Sequence, residues 1–338
     1  MAKKRLGLQT VQLETPPVII GHGAVAGPLE AQGPLGQEFD ATYPDLMIGQ
    51  KSFEAAERYM IQDACKLALD KAQLKSKPPE IDYFLAGDLL NQIISSTFAG
   101  LSLAVPFLGM YGACSTFCET LSVGAMLIDG GYADHVLCAT ASHNATAERQ
   151  YRYPVEYGNQ RKPYAQWTVT GAGAVVLAAT GTGPRVTHVT TGKVTDFGIS
   201  DPFNQGAAMA PAAVDTILQH LGDTGRKVED YDLIITGDLA TFGREMAIKL
   251  AAEKKVILGK QFVDCGMLIY DNSRQDVHSG GSGCGCAASV VCGHFLPQLT
   301  QGKLKRILVV ATGALLSPTT FQQGEHIPAI AHAVAIEA

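Results

Sequence analysis

The first thing missing from this chain is a long hydrophobic run. No uninterrupted apolar stretch reaches the roughly 20 residues that span a bilayer. No apolar segment follows the short basic run Lys3-Lys4-Arg5, so a secretory signal peptide is not expected. Positive charge is also scarce. Lys and Arg number 26 against 32 Asp and Glu, a formal charge of −6. That balance excludes the bulk basic field that holds nucleic acid or anionic lipid. Charged residues are only 17% of the chain and hydrophobic ones 46%, which excludes a disordered polymer. The expectation is a soluble globular protein, with any membrane role peripheral.

The usual reasons for cysteine are missing too. Eight cysteines occur in 338 residues, a chain too long to need disulfide staples. Several sit in apolar patterns, where a thiol packs as a small hydrophobe, and a reducing compartment fits. His278, Cys284, Cys286, Cys292 and His294 crowd one region. Cys284-x-Cys286 is not a zinc spacing. Cys286 and Cys292 point apart on a helix at about 100° per residue. No metal is expected. The pair Gly171 and Gly173 lacks a third glycine and leads into a strand, so no dinucleotide cofactor is expected either.

What is present is alternation. Residues 52–74 read as a helix with Phe53, Ala56, Met60, Ala64, Leu67 and Leu74 on one face. Lys77-Pro78-Pro79 stops it. Residues 81–87 read as a buried strand, 115–130 as a helix, and 135–141 as the next strand. The second half repeats this. "DYFLAGDLL" from 82 resembles "DLIITGDLA" from 232, 150 residues on. "GACSTF" from 112 resembles "GCGCAA" from 283, 171 residues on. A repeat this long implies duplicated α/β domains rather than a solenoid. The halves divide at the Gly- and Pro-rich seam around 178–186, as 1–181 and 182–338. Short apolar strands between helices predict parallel strands covered on both faces.

The chemically pointed stretch is "GACSTFCETL", residues 112–121. Cys114 stands at a predicted helix N-terminus. There the helix dipole favours negative charge and lowers a thiol's pKa. On chemistry alone, Cys114 is either a nucleophile or an inert core cysteine.

The stretch "YGACSTFCETLSVGAMLIDGG" resembles the active-cysteine helix of the thiolase superfamily, especially its β-ketoacyl synthase III branch. "TGAGAVVLAA", residues 170–179, is similar to the Gly-rich strand that closes that family's first half. The resemblance implies a thiolase-like α/β fold, two duplicated halves in five αβαβα layers. It also implies a homodimer, with the pocket between the halves. The branch's catalytic His would stand at Gly237, beside Asp238. Its Asn would stand at Cys284. Condensing chemistry needs such partners to stabilise an enolate and move protons. With both replaced, Cys114 is expected to be a relic nucleophile, and no residue is expected to be catalytic.

"VIIGHGAVAGPLEAQGPLGQEFD", "GDLATFGREM" and "SGGSGCGC" resemble the stage V sporulation protein AD family of endospore-forming bacteria. That resemblance implies a non-catalytic protein that binds dipicolinic acid or its calcium chelate. It implies uptake into the developing spore and release in germination. The expected partners are small membrane proteins of the same transport system. The expected place is the periphery of the spore inner membrane. The expected ligand-binding set is Cys114, Ser115, His143, Asn144, Arg149, Arg152, Gly237, Asp238, His278, Cys284 and Cys286.

Convergent backbone donors near 112–115 and 283–286 would suit an anion. Residues 149–167 would supply a lid, with Arg149, Arg152, Arg161 and Lys162 among Tyr151, Tyr153, Tyr157, Tyr164 and Trp167. A solvated or subunit-interface loop is the plainer reading of that stretch. His143-Asn144 follow a strand's carboxyl end, where open sheets bind ligands. They keep open the alternative of an acyl-CoA or ketoacyl condensing enzyme that uses Cys114 with atypical partners. Asp88 and Asp238, the twin aspartates of the repeat, read as turn-formers, with calcium ligation as the other possibility.

Overall fold

A computed structural model describes residues 3–151 and 160–338. Strands β1 (Arg5–Leu6) and β2 (Thr10–Gln12) form an N-terminal hairpin. Then come β3 (Val18–Ala26), β4 (Ala41–Thr42), α1 (Phe53–Lys71), β5 (Tyr83–Gly87), α2 (Ile94–Leu103) and β6 (Phe107–Gly109). The first half closes with α3 (Thr116–Asp129), β7 (His135–Ser142), α4 (Asn144–Tyr151), β8 (Trp167–Thr168) and β9 (Gly171–Ala178). The second half opens with β10 (Arg185–Thr190), α5 (Gln205–Thr224), β11 (Leu233–Thr236), α6 (Ala240–Glu253) and β12 (Phe262–Asp264). It continues with α7 (Cys265–Leu268), β13 (Gly281–Ser282), α8 (Cys284–Val290), a π turn (Val291–Phe295) and α9 (Leu296–Thr300). It ends with β14 (Arg306–Ala314), α10 (Pro318–Gln322) and β15 (Ala329–Glu337).

The duplication is exact in strand order. One sheet runs β3-β9-β7-β5-β6 and the other β10-β15-β14-β11-β12. A single residue pair, Arg185 with Val18, joins them. In each sheet the outer three strands are parallel, while β3 and β9, or β10 and β15, run antiparallel to their neighbours. The all-parallel expectation is thus corrected. A strand buried on both faces is apolar throughout in either direction, so its sequence does not report its sense. The N-terminal hairpin also crosses over: β2 pairs with β10 of the second sheet. The Asp223 carboxylate at the end of α5 holds it by accepting the N–H groups of Leu8, Gln9 and Thr10.

Helices α1 and α2 cover the outer face of the first sheet, and α5 and α6 that of the second. Helices α3 and α8 lie between the sheets. Their sequences explain this place. In α3, Phe117, Cys118, Leu121, Ala125 and Ile128 are buried along with Thr116, Thr120 and Ser122, so the helix is covered nearly all round. Every residue of α8 is buried, and small residues dominate it. Each large apolar side chain sealed here stabilises the fold by about 1.5–3 kcal/mol. Outside, α1 begins as its sequence predicts, with the Ser52 hydroxyl accepting the Ala55 N–H at 3.2 Å. Among the described residues, no helix is long and apolar enough to cross a membrane.

Candidate functional site

The N-termini of α3 and α8 meet at the interface of the halves, and Cys114 lies there. The turn that carries it is self-contained. Ala113 takes a left-handed φ of 51°, unusual for a residue with a Cβ. The Ser115 N–H and hydroxyl both donate to the Gly112 carbonyl, at 3.1 and 2.6 Å. Thr116 donates its N–H and hydroxyl to the Ala113 carbonyl. Ser115 therefore shapes the turn and is not among the residues that line the cleft. The opposing α8 turn is equally occupied: Gly285 N–H donates to the Ser142 hydroxyl and Cys286 N–H to the Gly283 carbonyl. The N–H groups of Ser115, Thr116, Gly285 and Cys286 therefore already have acceptors within the protein.

The cleft above Cys114 is lined by Leu89, Tyr111, Ala147, Tyr151, Thr168, Gln205, Ser282, Gly283, Ala314 and Leu316, besides Ala113 and Cys114. Its volume is about 30 Å³, room for roughly one or two water molecules. The thiol stands 3.9 Å from the Ser282 hydroxyl. No Lys, Arg or His occurs among the described residues that line it.

Of the expected site residues, the structure brings Cys114 and Cys284 together in one buried apolar cluster with Leu89, Ala113 and Ala147. Cys284 lies beneath the cleft, not in it. Its thiol donates to the Ala141 carbonyl at 2.9 Å, and burial, then the nearby Cys114 thiol, push its pKa well up. Cys286 is core. None of the eight cysteines forms a disulfide.

The others go elsewhere. His143 is buried: its Nδ1 accepts the Ala145 N–H and its Nε2 donates to the Leu46 carbonyl at 2.8 Å. Burial lowers its pKa, so it is neutral. With both nitrogens engaged it anchors α4 and is no base for Cys114. Asn144 donates to the Thr168 carbonyl and faces a different cavity, shared with Glu30 and Trp167. Arg149 pairs on the surface with Glu54. His278 lies 3.6 Å from Asp276 and does not line the cleft. Arg152, Tyr153 and Tyr157 lie outside the described residues. Of the proposed lid, Arg161 stacks on Trp167 at 4.2 Å, and Lys162 and Tyr164 hold Asp201. Among the lid's described residues, only Tyr151 lines the cleft.

Gly237 has no space for a side chain. A Cβ there would sit 2.8 Å from that of Ala287, so a histidine at this position needs a different packing of α8. The twin aspartates differ. Asp88 forms its turn, accepting Leu90 N–H, Ser96 N–H and the Ser96 hydroxyl. Asp238 does not. It is fully buried, and neither oxygen meets a donor in bonding geometry, though backbone N–H groups of Thr312 and Gly283 lie near. Burial, reinforced by Asp264, raises its pKa well above the carboxylate range. Asp264 is the turn-former here, accepting Leu239 and Ala240 N–H groups.

The sequence did not point to Leu89, Tyr111, Ala147, Thr168, Gln205, Ser282, Ala314 and Leu316 as lining. Ser282 and Gly283 carry a faint signal, as part of the Gly-rich turn before α8.

Two five-stranded sheets around buried helices, with a cysteine at the first central helix's N-terminus, define a protein of the thiolase-like fold. Solved structures agree. 3-oxoacyl-[acyl-carrier-protein] synthase III from Aquifex aeolicus VF5 superposes with a TM-score of 0.58 at 17% identity, over 95% of this chain and 100% of that one. Human mitochondrial 3-ketoacyl-CoA thiolase gives 0.56 at 15% identity, over 96% and 99%. These likenesses concern the fold alone. The family is narrower: the model described as Stage V sporulation protein AD (SpoVAD) matches residues 7–337, and the chain belongs to that family. The Stage V sporulation protein AD of Bacillus subtilis (strain 168) is 51% identical over 334 residues, 99% of this chain and 98% of the relative.

Proposed function

We propose that this sporulation protein is a non-catalytic, thiolase-fold member of the spore dipicolinic acid transport system. It binds dipicolinic acid, or its calcium complex, at the mouth of the cleft over Cys114, for uptake into the developing spore and release in germination. The observation that carries the reading is the full-length match to the sporulation family, 51% identity across 99% of the chain. The cleft's chemistry supports the non-catalytic part. Its described lining offers a thiol and hydroxyls but no imidazole to move a proton, and preorganised donors usually supply the largest catalytic term. It also supports the calcium form. Calcium would neutralise two carboxylates in a lining whose described residues hold no cation.

Titration calorimetry tests this. Dipicolinate, with and without calcium, is expected to saturate a site that aromatic monoacids such as benzoate leave empty. Absence of dipicolinate heat, or matching responses to both acids, would remove the reading. Turnover of an acyl-CoA with a Cys114 adduct that Cys114→Ser abolishes would replace it with a condensing enzyme.

The protein works as a homodimer at the periphery of the spore inner membrane, beside small membrane proteins of the same system. Strand β6 supports the dimer: it ends its sheet, and Leu108 on it is exposed. On α2, Ile94, Phe98 and Leu101 are exposed at positions one, five and eight of one helical face. An open apolar edge is a pairing template. Sedimentation is expected to give a dimer at micromolar concentration and a monomer for the double variant Leu101→Glu, Leu108→Glu. A monomeric native chain contradicts this assembly.

A further inference from the structure

The cleft has a second compartment. Outside the cavity of about 30 Å³ that ends on Cys114 lies one of about 350 Å³, walled by Leu90, Asn91, Gln92, Ile93, Leu315 and Ser317. Tyr111, Tyr151 and Leu316 line both, so they form the partition. Tyr151 ends α4, and Tyr111 follows β6. The Tyr151 hydroxyl donates to the Leu89 carbonyl. Its oxygen is then left to accept the Tyr111 hydroxyl, 3.0 Å away. Tyr111 is 45% exposed while Tyr151 is partly buried, so the pair runs from solvent to the inner cavity.

The wall beside the partition is strained. Gln92 and Ile93 take consecutive left-handed φ values of 58° and 50°, and a β-branched residue there is an outlier. Strain of this kind persists only where surrounding contacts over-determine it. The contacts here come from the same end of α4. Gln150 accepts the Asn91 N–H at 3.1 Å and donates to the Leu89 carbonyl at 3.2 Å, the carbonyl that also takes Tyr151. The strained loop and the tyrosine pair are therefore one hydrogen-bonded unit. The inner cavity is too small for a ring bearing two carboxylates, whereas the outer one is more than ten times larger.

We propose that Tyr111 and Tyr151 form a latch across the cleft, and that a planar aromatic acid sits in the outer compartment before the latch opens toward Cys114. The identity of the acid rests on the function proposed above; the latch rests on the geometry alone. Alkylation of Cys114 by iodoacetamide, followed by peptide mass spectrometry on the full chain, tests it. Tyr151→Phe removes both hydroxyl bonds and keeps the ring. It is expected to label Cys114 roughly ten-fold faster than the native chain, since each bond is worth about a several-fold change. Tyr111→Phe removes one bond and is expected to give a smaller rise. Cys65, Cys138 and Cys292, all fully buried in the core, stay unlabelled where the fold is intact.

Equal Cys114 rates in native and Tyr151→Phe protein overturn the latch. If Tyr151→Phe exposes the core cysteines, Tyr111→Phe decides in the same way. A parallel arm adds dipicolinate to the native chain, where protection of Cys114 is expected. Faster labelling in the variants without such protection keeps the latch and removes the aromatic acid. Protection without faster labelling does the reverse.

Discussion

Valine in place of Gly313 is expected to destabilise the protein by about 3 kcal/mol and to disorder the thiol site. Gly313 lies on β14, one residue from the end of its antiparallel pairing with β15, opposite Ile330. Strand β14 belongs to the second half, but at Gly313 it presses on the first. A Cβ would fall 2.1 Å from the Gly112 carbonyl oxygen and 3.1 Å from the Ser115 nitrogen. Both are backbone atoms of the turn that presents Cys114, so no side-chain rotation relieves the clash. The same Gly112 carbonyl accepts both Ser115 donors. Moving it breaks the turn as well as the packing. Overpacking costs about 1–3 kcal/mol, and each lost bond adds about 1 kcal/mol. Urea unfolding measures the first effect and Cys114 alkylation the second. A variant with native stability and native thiol reactivity would show that the turn does not lean on β14.

Glu30→Gln is expected to change how stability depends on pH. Glu30 is fully buried and accepts the Tyr270 hydroxyl and the Thr170 N–H through one oxygen, while the other has no partner. Burial raises its pKa from 4.5 to about 7. A raised carboxyl favours the folded state most when protonated. Its contribution is complete below pH 4.5 and is lost as pH rises through about 7. The shift corresponds to about 3 kcal/mol. Glutamine cannot ionise and keeps an acceptor for Tyr270 and Thr170. Unfolding free energies of native and variant chains, compared across pH 4.5 to 8, are therefore expected to diverge by about 3 kcal/mol in the variant's favour. Below pH 4.5 the difference is flat. Parallel curves across the whole range would show that Glu30 titrates normally.

The two variants probe different kinds of information. Glu30 looks like any surface acid in the sequence; only folding brings Tyr270 and Thr170 around it. Gly313 sits in an unremarked apolar strand, and its need to lack a side chain comes from a turn 201 residues earlier. The same contrast runs through the site. Cys114 was legible because a thiol, small residues and a helix start are adjacent in the chain. Tyr111 was not, because nothing local tells which wall a tyrosine will form. Arg149 and His143 were plausible ligands by position. They were taken by Glu54 and by the α4 turn, partners distant in sequence or hidden in local geometry.

Local periodicity and the internal repeat determined by themselves that the chain is α/β, that its halves are duplicates, and that Cys114 opens a buried helix. Those properties depend on neighbours a few residues apart. Tertiary structure alone decided strand sense, the crossing of the N-terminal hairpin, the size of the cleft and the tyrosines that divide it. Each of these depends on which surfaces meet across the two halves, and apolar strands of either direction bury equally well.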